Sequence, residues 1–183
     1  MLIMITESDR FLYMTAAHTL DETERQVSTL LKGMKIDFKA MEVVSNLFRA
    51  ANSARNHFER EVLKRHGLSW TGFVVLWVVW VWDTIETREI AIEVGTSKAT
   101  LSGVLKTLER DGLIVKDQSK IDRRLMLVSM TKNGKKLMKN IFPKFNKQEI
   151  YLTSSLNLSN KKATADALRS VTLKAQKVKT KDI

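Results

Sequence analysis

Along most of the chain apolar residues recur every three or four positions, the period of helices that each bury one face. In Asp37–His66, Phe38, Met41, Val44, Phe48, Ala51, Ala54, Phe58 and Val62 keep this spacing, and Gly67 is a suitable stop. The pattern predicts a helix over residues 37–66, about 45 Å long at the usual rise. That is longer than a compact domain needs, so part of its stripe is expected to meet another subunit. Asp21–Met34 (DETERQVSTLLKGM) has acids in its first turn and Val27, Leu30, Leu31 and Met34 at helical spacing, with Thr19 as its cap. Residues 1–18 lack a clear period and read as an arm.

The period vanishes in Ser69–Trp82 (SWTGFVVLWVVWVW), because nothing after Thr71 is polar, and this segment holds all four tryptophans. A membrane span needs about 20 apolar residues. Phe73–Trp82 supplies ten before Asp83, so no membrane segment is expected. Uniform apolarity fits a helix buried on every side, while the five valines equally fit a buried strand.

Periodicity returns in Glu86–Gly95, with Ile90, Ala91 and Val94 on one face. A second helix, Lys98–Arg110, follows a cap at Thr96 or Ser97, and Leu101, Val104, Leu105 and Leu108 form its apolar face. Asp111–Gly112 ends it. LIVKD (Leu113–Asp117) and RLMLVSM (Arg124–Met130) are β-prone runs joined by the polar QSKIDR, a β-hairpin. Thr131 opens another helix, which Pro143 should kink or break, and Leu158–Lys177 is a last amphipathic helix with Ser159 as cap. The tail KTKDI should fray.

Composition narrows the chemistry. One proline and seven glycines among 183 residues disfavour an all-β fold. The absence of cysteine removes disulfides, thiolate nucleophiles, thiolate zinc sites and thiol-based peroxide sensing. The net charge of +11 is unevenly placed: residues 97–147 carry thirteen basic and four acidic side chains. Such a block is the footprint of a polyanion partner, because each phosphate it neutralises releases condensed counterions. A solvated lysine-rich surface is the alternative.

The order helix, glycine-containing turn, helix, hairpin is a winged helix-turn-helix. In the turn EVGTSKATLS, small Ala91 and Gly95 are expected to let the two helices cross closely. The second helix starts SKATLS, polar and thin at the end that would enter a major groove. Ser97, Thr100 and Ser102 can bond base edges or phosphates, and Lys98 and Lys106 can meet phosphates or guanine. Taken singly, each of these residues is better explained by helix capping or solvation; the ordered set favours DNA binding. The loop KIDRR (Lys120–Arg124) offers arginine, whose flat, weakly hydrated guanidinium can enter the narrow minor groove, and a preceding aspartate can hold it extended.

The run Thr96–Met138 (TSKATLSGVLKTLERDGLIVKDQSKIDRRLMLVSMTKNGKKLM) closely resembles the winged-helix core of the MarR (multiple-antibiotic-resistance regulator) family, through LERDGLI, DRR and SMTKNG in the family's order and spacing. The likeness continues more loosely over residues 37–177. Residues 1–36 are longer than the family's usual start. The resemblance implies a mainly α fold with a small β-hairpin wing, a winged helix-turn-helix flanked by N- and C-terminal dimerisation helices. The implied division is an arm and short helix over 1–36, a long dimerisation helix over 37–66, a DNA-binding domain over 67–138 and C-terminal dimerisation helices over 139–183. It further implies a cytoplasmic homodimer that binds a pseudo-palindromic operator in double-stranded DNA and represses transcription. By the same resemblance Ser97, Lys98, Thr100, Leu101, Ser102 and Lys106 belong to the recognition helix. Lys120, Asp122, Arg123 and Arg124 belong to the wing, with Arg123 in the minor groove, Asp122 orienting it, and Arg124 meeting phosphate or a neighbouring acid.

Members of this family commonly bind small aromatic or anionic ligands in a crevice between the dimerisation helices and the winged domain. The resemblance makes Trp70–Trp82 the helix at that junction. Phe73, Trp77 and Trp80 then share a stripe with Trp70 one turn earlier, and with Phe58 they are the candidate pocket for a small aromatic or lipophilic effector. Core packing is the favoured reading of the same residues. Nothing suggests an enzyme, cofactor or metal: His18, His57 and His66 lie apart, without a phosphate loop or nucleophile elbow. His66, at a helix C-terminus, should gain from partial protonation there. Two other functions remain open on the residues alone, an architectural DNA binder without sequence preference and a protein–protein adaptor.

Overall fold

A computed structural model describes residues 18–178. Most of the expected arm, and the tail KTKDI, lie outside them. The chain forms two compact units, one up to Asn52 and one from Ser53.

In the first unit α1 (Leu20–Leu30) starts at Thr19, whose hydroxyl accepts from the Glu22 N–H while the Glu22 carboxylate accepts from the Thr19 N–H at 2.8 Å. This reciprocal cap satisfies two of the donors that a helix start leaves open. The same bonds hold the Glu22 carboxyl below its usual range. Helix α2 (Phe38–Phe58) opens on Asp37, which accepts from the Ala40 N–H, and the unit boundary falls inside it. Glu24 on α1 accepts from the Asn46 amide at 3.1 Å. Neither helix buries a large side chain within this unit: Leu30, Val43, Val44 and Phe48 are exposed.

In the second unit the helix expected over 37–66 changes character. The α-helix ends at Phe58, a π-helical turn spans Glu59–Leu63, and a 3-10 turn spans Lys64–His66 before Gly67, left-handed at φ 66°. The wider π turn sends both Val62 and Leu63 into the core. Next, α3 (Trp70–Trp82) is capped by Ser69, which accepts from the Gly72 N–H. It buries Phe73, Val75, Leu76, Val78 and Val79. It is not buried all round, because Val81 and Trp82 at its end are exposed. Asp83 then takes φ 60°, a strained value for a residue with a side chain, and its carboxylate pairs with Lys135 at 2.8 Å.

Three strands form one antiparallel sheet in the order β1 (Thr84–Glu86), β3 (Met126–Met130), β2 (Ile114–Gln118). The first was not expected, since three residues carry no readable alternation and become a strand only by pairing Ile85 with Val128. Helices α4 (Thr87–Val94) and α5 (Lys98–Arg110) form the helix-turn-helix. The last two helices are α6 (Lys132–Leu152) and α7 (Leu158–Val178). The expected break at Pro143 does not occur. Proline removes one helical hydrogen bond, but Ile141 and Phe145 on either side are buried and hold the turns in place. The cap of α7 is Asn157, which accepts from the Asn160 N–H at 2.8 Å, not Ser159. Helix α3 contacts α4, α5, α6 and β3, so the most apolar segment is the hub of this unit. Among the described residues no helix is long and apolar enough to cross a membrane.

Candidate nucleic-acid interface

The turn between α4 and α5 is set by Gly95, left-handed at φ 67°, with the Thr96 N–H donating to the Ala91 carbonyl at 3.1 Å. A Cβ on Gly95 would meet nothing within 4 Å. Close crossing is therefore not its role; the backbone angle is. The Ser97 hydroxyl accepts from the Thr100 N–H at 3.1 Å and lies 3.0 Å from the Thr100 hydroxyl, which fixes the start of α5. Lys98, Thr100, Ser102 and Lys106 are exposed on this helix. Leu101 is not available to DNA: it is 3% exposed and packs with Leu105 and Leu108 in the core. Its expected place on the DNA-facing surface is therefore corrected: one helical step of about 100° separates exposed Thr100 from the buried face that Leu101 joins.

The wing tip is tied by short-range hydrogen bonds. Buried Ser119 donates its N–H to the Leu125 carbonyl at 2.9 Å, and its hydroxyl accepts from the N–H groups of Ile121 and Asp122 at 3.3 Å. The Leu125 N–H donates to the Asp122 carbonyl. The Asp122 carboxylate does not hold Arg123 as expected. It accepts from the Arg124 guanidinium at 2.8 and 3.0 Å and from the Arg124 backbone N–H at 3.0 Å. Those bonds lower the Asp122 carboxyl from its usual range and raise the Arg124 guanidinium. The residue two positions on closes an Asx-type turn that the adjacent residue cannot. Among the described residues Arg123 has no hydrogen-bond or ion-pair partner, so its side chain projects unpaired.

Between α5 and the wing lies a groove of about 450 Å³, lined in part by Arg88, Lys98, Ser102, Lys116 and Arg124, over a floor of leucines. Sequence reasoning missed Arg88 and Lys116. Arg88 lies outside the basic block, and Lys116 shares the strand face of buried Ile114, which alternation reads as core. Lys116 also pairs with Glu109 at 2.7 Å across the end of α5, bracing the wing against the helix.

The five aromatic candidates separate into two groups. Phe58, Trp70 and Phe73 stack around Phe145 of α6, with ring centres 3.9 Å apart for Phe58–Phe145 and 4.5 Å for Phe73–Phe145. Phe58 and Phe73 are buried, so this group is packed core. Trp77 and Trp80, both half-buried, meet each other and Phe142, which stacks on Trp77 at 4.9 Å. Phe142 and Phe145 were invisible as partners because they lie some 70 residues away in sequence. His57 binds Gln148 at 2.8 Å and stacks on Tyr151, joining the end of α2 to α6. His66 departs from expectation: burial, then Lys144 and Arg65, make its ring harder to protonate. Among the described residues no three His, Asp or Glu side chains are grouped to hold a metal.

Residues 68–126 match the model of the MarR family. The chain is 37% identical over 155 residues, 83% of its length and 91% of the relative's, to an uncharacterised HTH-type transcriptional regulator, YwaE, of Bacillus subtilis. Its fold is similar to that of BpsR of Bordetella bronchiseptica, whose DNA binding is regulated by 6-hydroxynicotinic acid (TM-score 0.65, 24% identity, 72% of this chain and 98% of BpsR). It is also similar to AbsC, a MarR-family transcriptional regulator of Streptomyces coelicolor (TM-score 0.70, 16% identity, 77% and 97% covered). A winged helix-turn-helix with a basic groove and this relatedness identify the chain as a member of the MarR family of DNA-binding, HTH-type transcriptional regulators.

Proposed function

We propose that the chain binds a pseudo-palindromic operator as a homodimer and represses transcription, with α5 in the major groove and the wing in the minor groove. One observation carries this reading: the exposed polar start of α5, with Lys98 and Ser102, opens on the same basic groove as the wing residue Arg124. Thr100 and Ser102 read base edges, Lys98 and Lys106 meet phosphate, and Ser97 holds the helix start. Arg123, unpaired among the described residues, enters the minor groove, while Asp122 holds Arg124 against the wing so that the two arginines do different work. The DNA-binding domain spans residues 67–138.

Dimerisation falls to residues 37–66 and 139–183. Val44 and Phe48 on α2, and Leu158, Leu168 and Leu173 on α7, are large apolar side chains left in water. Helices bearing such stripes are stable when a second copy covers them. A small aromatic or lipophilic effector is proposed at the half-buried Trp77, Trp80 and Phe142, the less buried of the two aromatic groups.

A mobility-shift titration at fixed salt tests the reading, comparing DNA from upstream of the protein's own gene with scrambled DNA of equal length. Tighter binding to the upstream DNA is expected. Equal affinity for both would favour an architectural DNA binder. Quenching of tryptophan fluorescence by aromatic acids or lipophilic amines, with a change in operator affinity, tests the effector.

A further inference from the structure

We propose that Ile121 is a DNA-contacting residue of the wing, an apolar tip that packs on the sugar walls of the minor groove between Lys120 and Arg123. The inference rests on the DNA-binding reading above and adds to it a contact that no charge pattern predicts.

Ile121 is 100% exposed, the most exposed large apolar side chain among the described residues. Exposure alone would say little, since single apolar residues on surfaces are common. The surroundings are what single it out. The Ser119 hydroxyl, itself on a buried residue, accepts from the backbone N–H of Ile121 and of the next residue, both at 3.3 Å. The turn is closed further by Leu125 N–H to Asp122 carbonyl at 2.9 Å and by the Asp122–Arg124 pairing. A branched side chain with few rotamers therefore stands on a fixed backbone, so little freedom is left to lose on contact.

Lys120 precedes it and is exposed, Asp122 follows it with its carboxylate held by Arg124, and Arg123, two positions on, is unpaired among the described residues. Lys120 and Arg123 draw in the phosphate rails of a duplex. Between two such rails the surface nearest the tip of the loop is deoxyribose C–H, which is apolar and has no use for a polar side chain. Apolar side chains do enter the minor groove in other DNA-binding proteins. Burial of about 50 Å² of isoleucine at about 25 cal/mol per Å² corresponds to roughly an eightfold change in affinity per wing.

The experiment measures binding of wild type, Ile121→Ser and Ile121→Leu to the upstream DNA at two or more salt concentrations, with a melting curve for each protein. Because Ile121 touches nothing, all three should melt together. Ile121→Ser alters both wings of the dimer and should bind about sixtyfold more weakly at each salt concentration with the salt slope unchanged, and Ile121→Leu should stay within a few-fold of wild type. Serine binding as tightly as isoleucine would overturn the proposal while leaving the DNA-binding reading intact. Leucine as weak as serine would also overturn it, since the contact would not then be apolar. Wild-type protein that binds no duplex would overturn both.

Discussion

Replacing Gly134 by alanine sets a local preference against a tertiary contact. Gly134 lies in the first turn of α6, and its N–H donates to the Thr131 hydroxyl at 3.0 Å. On helix propensity alone alanine should stabilise by up to about 1 kcal/mol. The packing says otherwise. An added Cβ would overlap the Leu113 carbonyl oxygen, stand 3.0 Å from its carbon and lie 3.1 Å from the Met130 methyl. The methionine can swing away; the Leu113 backbone cannot, because its carbonyl accepts from the Thr131 N–H at 3.1 Å while the Thr131 hydroxyl donates to Gly112 at 2.7 Å. Relieving the overlap pulls the start of α6 from residues 112–113. That weakens two hydrogen bonds of about 1 kcal/mol each and loosens Ile114 and Met138, at about 1–2 kcal/mol more. Both side chains are at most 1% exposed. After the propensity gain, the net loss is about 2–3 kcal/mol. Urea unfolding followed by tryptophan fluorescence reads it as a lower midpoint at constant slope. An alanine variant as stable as wild type would refute the argument that this glycine is required for close approach.

Three further outcomes are expected. Arg123→Ala should weaken operator binding roughly tenfold or more, and unchanged affinity at fixed salt would remove the wing arginine from the interface. Lys98→Ala or Lys106→Ala should each reduce the salt slope of operator binding by about two, one phosphate for each half of the dimer; a slope identical to wild type would move that lysine off the DNA. The His66 ring is harder to protonate in the fold than free, so the unfolded chain takes up its proton at higher pH. Stability from this residue is therefore complete above about pH 6.5 and is lost as pH falls towards the lowered folded value. Melting temperatures from pH 7.5 to 5 should fall less steeply in His66→Gln, and parallel curves would exclude the effect.

Helix starts were legible because capping is local. Thr19, Ser97 and Thr131 each cap the helix that follows, and the hydroxyl needed lies within three residues of the N–H it satisfies. The exception, Asn157 in place of Ser159, is local too, a choice between two capable side chains in one turn. The winged helix-turn-helix was legible for a related reason, since its turn residues and apolar periods stand in one short run of chain.

What the sequence could not carry was direction and partnership. Leu101 and Thr100 are neighbours in sequence, yet the helical step sends one into the core and leaves the other in water. Asp122 had two arginines to choose from, and turn geometry gave it Arg124. Trp77 had no readable partner until Phe142, on a helix far along the chain, came to stack on it. The residues alone thus determined the helices, the hairpin and their order, because those depend on interactions a few positions apart, but not β1, which exists only by pairing with β3. Which side chain meets which was decided only in three dimensions, by turn geometry at Asp122 and Arg124 and by the packing of distant segments at Trp77 and Phe142.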